Sequence, residues 1–307
     1  MSERPALPAG ISVFERGWLS SNNILLEGRD STALIDSGYA THAAQTLALT
    51  QSALNSRPLD VLVNTHLHSD HCGGNAALQA VYLALQTHIP PGLSEHVRDW
   101  NTQALTYTPT GQICPPFGFD ALLVPGSDIA LGDLLWQVHA APGHDTHSVI
   151  LFEPVSRVLV SADALWERGF GVVFPELEGD DAFDAVADTF DLIEYLNPRT
   201  VIPGHGPAFT SVDASLAFAR QRLAGFAADP VKHLKYGAKV LLKFKLLEVQ
   251  SLPMTELIAW AQATDYFELI YTPHFAGLEF TAWIEQLTAE LVRSGAASRA
   301  GLQISNL

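Results

Sequence analysis

The stretch VLVNTHLHSDHCGGN, residues 61–75, places three histidines and an aspartate within six positions directly after an apolar run. His66 and His68 are two apart at the expected end of a strand, so in extended backbone their side chains point the same way and can chelate one ion together. Asp70 and His71 come after the chain begins to turn and can aim at a second point a few ångströms away. The stretch therefore offers two metal positions rather than one. It does not complete them, because a single catalytic zinc already takes three protein ligands.

The missing donors are found at the ends of other apolar runs. His144 stands in APGHDTHS, Asp163 in VSADAL and His205 in IPGHGP, each beside glycine or another small residue where a loop can bring a side chain to the edge of a sheet. The set then comprises five histidines and two aspartates, enough for two borderline-soft cations.

Around these positions the pattern is that of a layered α/β protein. ISVFERG, NNILLEG and TALIDSG read as short strands punctuated by Gly, Asn and Asp, followed by a helix over 41–55 with Thr41 as its N-cap. DVLVNTH reads as a buried strand, NAALQA opens a helix, and Pro91 opens another over 91–103. TYTPTGQICPPFGF reads as an irregular loop. Strands resume with ALLVPG, LLWQVHAAPG, SVILFEP and RVLVSAD, then a helix over 181–196, the strand TVIPGHG and a helix over 212–227. Beyond AADP at 227–230 helices dominate, over 231–248, 254–262 and 280–294. The expected division is a catalytic unit over 1–228 and a helical unit over 229–307.

The chain has 307 residues with 17 Lys+Arg against 33 Asp+Glu, a formal net charge of −16. Such a charge repels nucleic-acid backbones and acidic membrane surfaces over most of the protein. No run is apolar enough to span a bilayer, and MSERPALPAG has no basic start followed by an apolar block. A cytoplasmic protein is expected, with neither nucleic acid nor membrane as its partner and a homodimer left open. Cys72 and Cys114 are too few for a disulfide framework and are read as reduced thiols.

With the metal pattern in place, the first three quarters of the chain resembles the metallo-β-lactamase superfamily. The ordered motifs are Asp36 in LIDSG, H-x-H-x-D-H over 66–71, then His144, Asp163 and His205. The resemblance implies an αββα sandwich with the metals at one edge of its two sheets. It implies His66, His68 and His144 on one ion, Asp70, His71 and His205 on the other, Asp163 bridging, and Asp36 holding the site from behind. Two divalent ions are expected, zinc first with iron or manganese as alternatives, sharing a hydroxide that attacks the substrate, with Asp70 orienting it and shuttling its proton.

Substrate identity is less sharply written. A bridging Asp163 rather than Cys, and no signal segment, argue against a true β-lactamase and point to a glyoxalase II-like hydrolase of a small thioester or ester. A lactonase, an endoribonuclease of the same superfamily and an iron-dependent sulfur dioxygenase are the alternatives. Trp166, Phe170 and Phe174, in the glycine-rich stretch after Asp163, are candidates for a pocket wall, and Tyr107 for an oxyanion donor on a flap. All five lysines lie between 232 and 245. Lys232, Lys235, Lys239 and Lys243 would form a stripe on a helix, so that Lys235 and Lys239 are candidate anion contacts. This segment is similar to a small helical, winged-helix-like appendage found in one branch of the superfamily.

Overall fold

Residues 5–307 are described by the computed structural model. The alternation of apolar residues along the strands explains how the layers form. In the first sheet, β1 (Ile11–Phe14), β2 (Asn23–Glu27) and β3 (Thr32–Ile35) form an antiparallel meander. It continues in parallel through β4 (Val61–Val63), β5 (Gln86–Ile89) and β6 (Ala121–Leu122). In the second sheet, β7 (Asp128–Leu131), β8 (Leu134–Ala140), β9 (Val149–Glu153) and β10 (Val158–Ala162) are antiparallel, and β11 (Thr200–Pro203) joins β10 in parallel.

Because successive side chains alternate between faces, Ile24, Leu26, Ile35 and Val63 meet Trp136, Val138, Leu151 and Val160 between the sheets. Leu25, Leu34 and Leu62 point the other way, against Leu54 and Leu78 of the helices Ala43–Leu54 and Asn75–Val81. Ile150, Phe152 and Leu159 likewise point outward, against Phe183, Phe190 and Ile193 of the helix Phe183–Leu196. Both faces of both sheets are covered, which is the αββα sandwich expected from the motifs.

Several local expectations are corrected. The first helix begins with a 3-10 turn, Ala40–His42, so its N-cap is His42 rather than Thr41. The helix expected over 91–103 shrinks to Ser94–Arg98, because the chain reverses at Trp100, whose φ is 48°. The supposed irregular loop contains one helical turn, Tyr107–Thr110.

At the C-terminal end, helices Pro230–Val249, Met254–Gln262 and Phe280–Arg293 stand where expected. The helix Asp265–His274 and an antiparallel sheet of β12 (Ser251–Pro253), β13 (Ala297–Ala300) and β14 (Gln303–Asn306), in the order β12-β14-β13, were not foreseen. These strands are only three or four residues long, too short to show a period. Leu241, Leu242, Phe267, Trp283, Ile284 and Leu287 form the core of this region, and Leu177 of the sandwich joins it. Among the described residues no helix is long and apolar enough to cross a membrane.

Leu287 is fully buried in that core. Leu287→Ala is expected to lower the unfolding free energy by roughly 2–5 kcal/mol, the usual cost of an internal cavity. Urea denaturation followed by tryptophan fluorescence measures it, and a loss under about 0.5 kcal/mol would mean that the C-terminal core is not packed as described.

Candidate metal centre

The strand directions gather the donors. Asp36 and His66 follow the C-terminal ends of the parallel neighbours β3 and β4, and Asp163 and His205 follow those of β10 and β11. His144 follows β8, which runs in the same sense as β10 because β9 is antiparallel to both. All these loops open on one edge, where cross-links hold the two sheets together. Val149 N donates to Thr65 O at 2.9 Å and Asn22 N to Gly204 O at 2.6 Å. The Asn22 side-chain amide adds bonds to the carbonyls of Pro203 and Gly206 at 2.9 and 2.7 Å.

The seven donors fall into two groups, His66, His68 and His144 in one and Asp70, His71, Asp163 and His205 in the other, the ligand atoms within each lying inside 4.8 Å of one another. In the first group His68 Nδ1 is 3.1 Å from His66 Nε2 and 2.8 Å from His144 Nε2. Three ring nitrogens thus converge on one point. Burial pushes the His68 and His144 pKa values down to about 4 and that of His66 well below its ordinary value, with neighbouring rings adding to the effect at His66 and His144. Neutral rings are the ones that can donate a lone pair to a cation.

Two of the rings are held from behind. His144 Nδ1 donates to Val172 O at 2.5 Å, and His71 Nδ1 to Asp36 Oδ2 at 2.7 Å. Each bond fixes the tautomer and turns Nε2 toward the centre. His71 Nε2 is buried and, among the described residues, has no hydrogen-bond partner. An unpartnered buried polar atom is costly, and here it faces Asp163 Oδ1 at 3.6 Å and Asp70 Oδ2 at 3.9 Å. Convergent neutral imidazoles, an orphaned ring nitrogen and two carboxylates fit a pair of divalent cations.

Burial alone would raise the carboxyl pKa values of Asp70 and Asp163, but the facing histidines overcome it and hold both low. Burial would likewise lower His71, but Asp36, Asp163 and Asp70 overcome it and hold it well above its ordinary value.

Close packing shapes the site. A Cβ on Gly204 would meet Asp163 Oδ1 at 2.2 Å, and one on Gly171 would meet the His144 ring at 2.3 Å, so both positions require glycine. Asp36 at φ 58° and Ala162 at φ 46° hold left-handed backbone beside the donors, with the β10 register shift at Val160/Ala162 aiming Asp163 inward.

A cleft lies over the donors. Of the aromatic candidates, Trp166 and Phe174 line it, and Trp166 Nε1 donates to Asp163 Oδ1 at 3.2 Å. Phe170 does not, because it is buried against Phe190 and Phe226. Tyr107 is not an oxyanion donor, since its buried hydroxyl donates to Leu67 O at 2.9 Å. Its oxygen also stands 3.2 Å from Cys72 Sγ, which fills space as a buried free thiol.

Lys235 and Lys239 lie away from the donors and both pair with Glu290, at 2.5 and 3.1 Å, while Lys243 donates to Ala296 O and Asn306 Oδ1 at 2.6 Å. Most of the lysine stripe therefore ties its helix to the helix Phe280–Arg293 and to the C-terminal strand β14. Trp18, stacked on His205 with ring centroids 5.3 Å apart, and Tyr236, Val240 and Phe244 also line the cleft. The last three were discoverable as i, i+4, i+8 on one helix; Trp18 carried no local signal.

The Metallo-beta-lactamase superfamily profile matches residues 16–205, and the chain belongs to that superfamily. It is similar to the acyl-coenzyme A thioesterase MBLAC2 of Gallus gallus, 27% identical over 219 residues that cover 64% of this chain and 79% of the relative. A hydroxyacylglutathione hydrolase of Anaeromyxobacter dehalogenans is 31% identical over 220 residues, 69% of this chain and 74% of the relative. A solved metallo-beta-lactamase family protein from Thermus thermophilus superposes with a TM-score of 0.60 at 18% identity. That superposition covers 98% of this chain and 100% of the other, and so speaks for the fold through the C-terminal region as well. The hydrolase class expected from the residues agrees with these relatives.

Two outcomes are expected. Asp36→Asn, which tolerates the left-handed backbone but removes the charge facing His71, should weaken metal binding roughly 10–100-fold in a chelator competition; unchanged affinity would contradict the role given to Asp36. In the metal-free protein, His66, His68 and His144 are neutral when folded, whereas the unfolded chain protonates them near about pH 6.5. Below that pH the unfolded state binds more protons, so stability falls as pH drops from 6.5 towards about 4. His71, raised when folded, contributes stability that is complete below pH 6.5 and lost as pH rises through its folded value, an offset from one ring against three. The urea midpoint of metal-free protein should therefore be lower at about pH 5 than at about pH 7, and a higher one would contradict the burial of neutral rings.

Proposed function

We propose that the protein is a dinuclear metal-dependent hydrolase of small thioester or ester substrates. The observation that carries this reading is the division of the Asp163 carboxylate: Oδ2 lies 3.3 Å from His144 Nε2, while Oδ1 lies 3.6 and 3.7 Å from His71 and His205 Nε2. One side chain faces both donor groups. His66, His68 and His144 would hold one ion and Asp70, His71 and His205 the other, with Asp163 shared and Asp36 orienting His71. Imidazole and carboxylate donors suit zinc, with iron or manganese as alternatives. When bound, such ions supply Lewis acidity and lower the pKa of water from about 15.7 to about 7, so that solvent serves as the nucleophile at neutral pH.

The chain supplies the rest. Asp70 lines the cleft and is held ionised by His71 and His205. Its Oδ2 is turned to His205 Nε2 at 3.1 Å, which leaves Oδ1 as the atom to take the proton from attacking water and return it to the leaving group. The Trp166 indole N–H keeps Asp163 in place. Trp18, Trp166 and Phe174 exclude bulk water and give an apolar acyl group a surface to pack on. Both named relatives are thioester hydrolases by name, which supports a thioester over a lactone or a phosphodiester. The net charge of −16 favours a small acyl substrate over RNA.

The test is to strip the protein with a chelator, reconstitute it with zinc, count bound metal, and assay a panel of acyl thioesters, simple esters and lactones. About two ions per chain and thioester hydrolysis restored by metal are expected, with Asp70→Asn lowering kcat by roughly 10²–10⁴. No turnover across the panel would sink the hydrolase reading, and full activity at one ion per chain would sink the dinuclear one.

A further inference from the structure

Among the described residues, no lysine or arginine lines the cleft over the donors. Its polar members are the donors, Thr106, Thr110 and Gln112, and the remainder of its wall is largely apolar. A negatively charged carrier finds no partner there. Tyr236, however, lines this cleft on one side and a second groove on the other, between the helices Val212–Ala228 and Pro230–Val249. That groove is bordered by Phe218, Arg222, Phe226, Lys232 and Lys239, and among the described residues no acidic side chain lines it.

Arg222 is half-buried, with its guanidinium carbon 4.5 Å from the Tyr236 ring centroid, 5.4 Å from that of Phe226 and 5.6 Å from that of Phe170. Its Nη1 lies 2.7 Å from where a Cβ on Gly169 would stand. The turn that carries Trp166 of the acyl cleft, closed by the Trp166–Gly169 bridge, therefore packs directly on Arg222. Lys232 leans over the opposite wall, its Nζ 3.9 Å from the Cβ position of Gly225. Among the described residues neither cation has a carboxylate within ion-pair distance, whereas Arg220, Lys235 and Lys245 each do.

Two unpaired cations sharing one groove, on a chain with 33 acidic and 17 basic residues, form a local positive site in a negative field. A guanidinium stacked on aromatic faces directs its N–H groups outward in its own plane, a geometry that matches the oxygens of a phosphate. Lys239, fixed by Glu290, extends the border of the site.

We infer that this groove binds the phosphate-bearing end of the substrate's thiol carrier while the acyl group occupies the apolar cleft over the donors. The substrate class is then an acyl thioester of a nucleotide-type carrier such as coenzyme A. Its long arm can pass Tyr236 before reaching the phosphates. Glutathione keeps its carboxylates close to the sulfur, where the cleft offers no cation. The inference rests on the thioesterase reading above, but its first test does not need turnover.

Titration calorimetry with adenosine 3′,5′-bisphosphate on the wild type and on the Arg222→Ala/Lys232→Ala variant is the first arm. Saturable binding is expected, weakened roughly tenfold or more in the variant, the loss of one or two charge-assisted hydrogen bonds. Lys232→Glu, an exposed change that leaves the Arg222 packing intact, should weaken it in the same direction.

The second arm compares octanoyl-coenzyme A, S-octanoylglutathione and S-octanoyl-N-acetylcysteamine. Lys232→Glu, which leaves the Arg222 packing under the Trp166 turn intact, should raise KM for the coenzyme A ester by about tenfold with kcat kept, and change KM for the neutral N-acetylcysteamine ester by less than about twofold. Absence of bisphosphate binding, equal binding by the variants, or an equal KM rise for the glutathione ester would overturn the inference. If no ester is turned over but the variants lose bisphosphate binding, the thioesterase reading falls and the anion site stands. If the esters are turned over and the bisphosphate is ignored, the reverse holds.

Discussion

The Asp36 carboxylate is the contact on which the metal centre depends. Set at the end of β3 in left-handed backbone, it accepts from Thr65 N at 2.9 Å, from Thr65 Oγ1 at 2.8 Å and from His71 Nδ1 at 2.7 Å. One buried side chain thereby fixes where the β4 strand ends, how the histidine loop turns and which nitrogen of His71 faces the centre. Its charge, with those of Asp163 and Asp70, overcomes burial and raises the His71 pKa well above its ordinary value, while burial lowers those of His68 and His144 to about 4. The asymmetry between the two donor groups is thus set from behind the site.

A second constraint is the joining of the two sheets at their active edge. Asn22 sits in the turn before β2 yet bonds to Gly204, Pro203 and Gly206 around β11, and Val149 bonds to Thr65 across the sandwich. These bonds bring the first half's donors to those of the second half. The C-terminal helices complete the arrangement without supplying a donor, since Tyr236, Val240 and Phe244 wall the cleft. Their helix is held in place by lysines that pair with Glu290, so what looked like a stripe for binding is mostly a fastening.

Much of the site was legible in the sequence because metal chemistry restricts residue type and spacing. His66, His68, Asp70 and His71 announced themselves by proximity, and His144, Asp163 and His205 by standing where apolar strands end beside small residues. The pocket wall was only half legible. Trp166 and Phe174 face the cleft while Phe170 between them faces the core, because the glycine-rich stretch has no period from which facing could be read. Tyr107 looked free on a flap, yet its hydroxyl is spent on Leu67 O, a partner forty residues away.

What the sequence determined by itself is therefore the class of chemistry and the layered fold, since strand alternation and ligand type are local properties written residue by residue. The tertiary structure decided which side chains share a space. It set Asp163 between the two donor groups, stacked Trp18 on His205, turned Lys235 and Lys239 to Glu290, and left Arg222 and Lys232, without a carboxylate partner among the described residues, in a groove that meets the cleft over the donors at Tyr236. These are encounters between segments far apart in the chain. Their geometry follows from how helices and sheets pack, which no local pattern records.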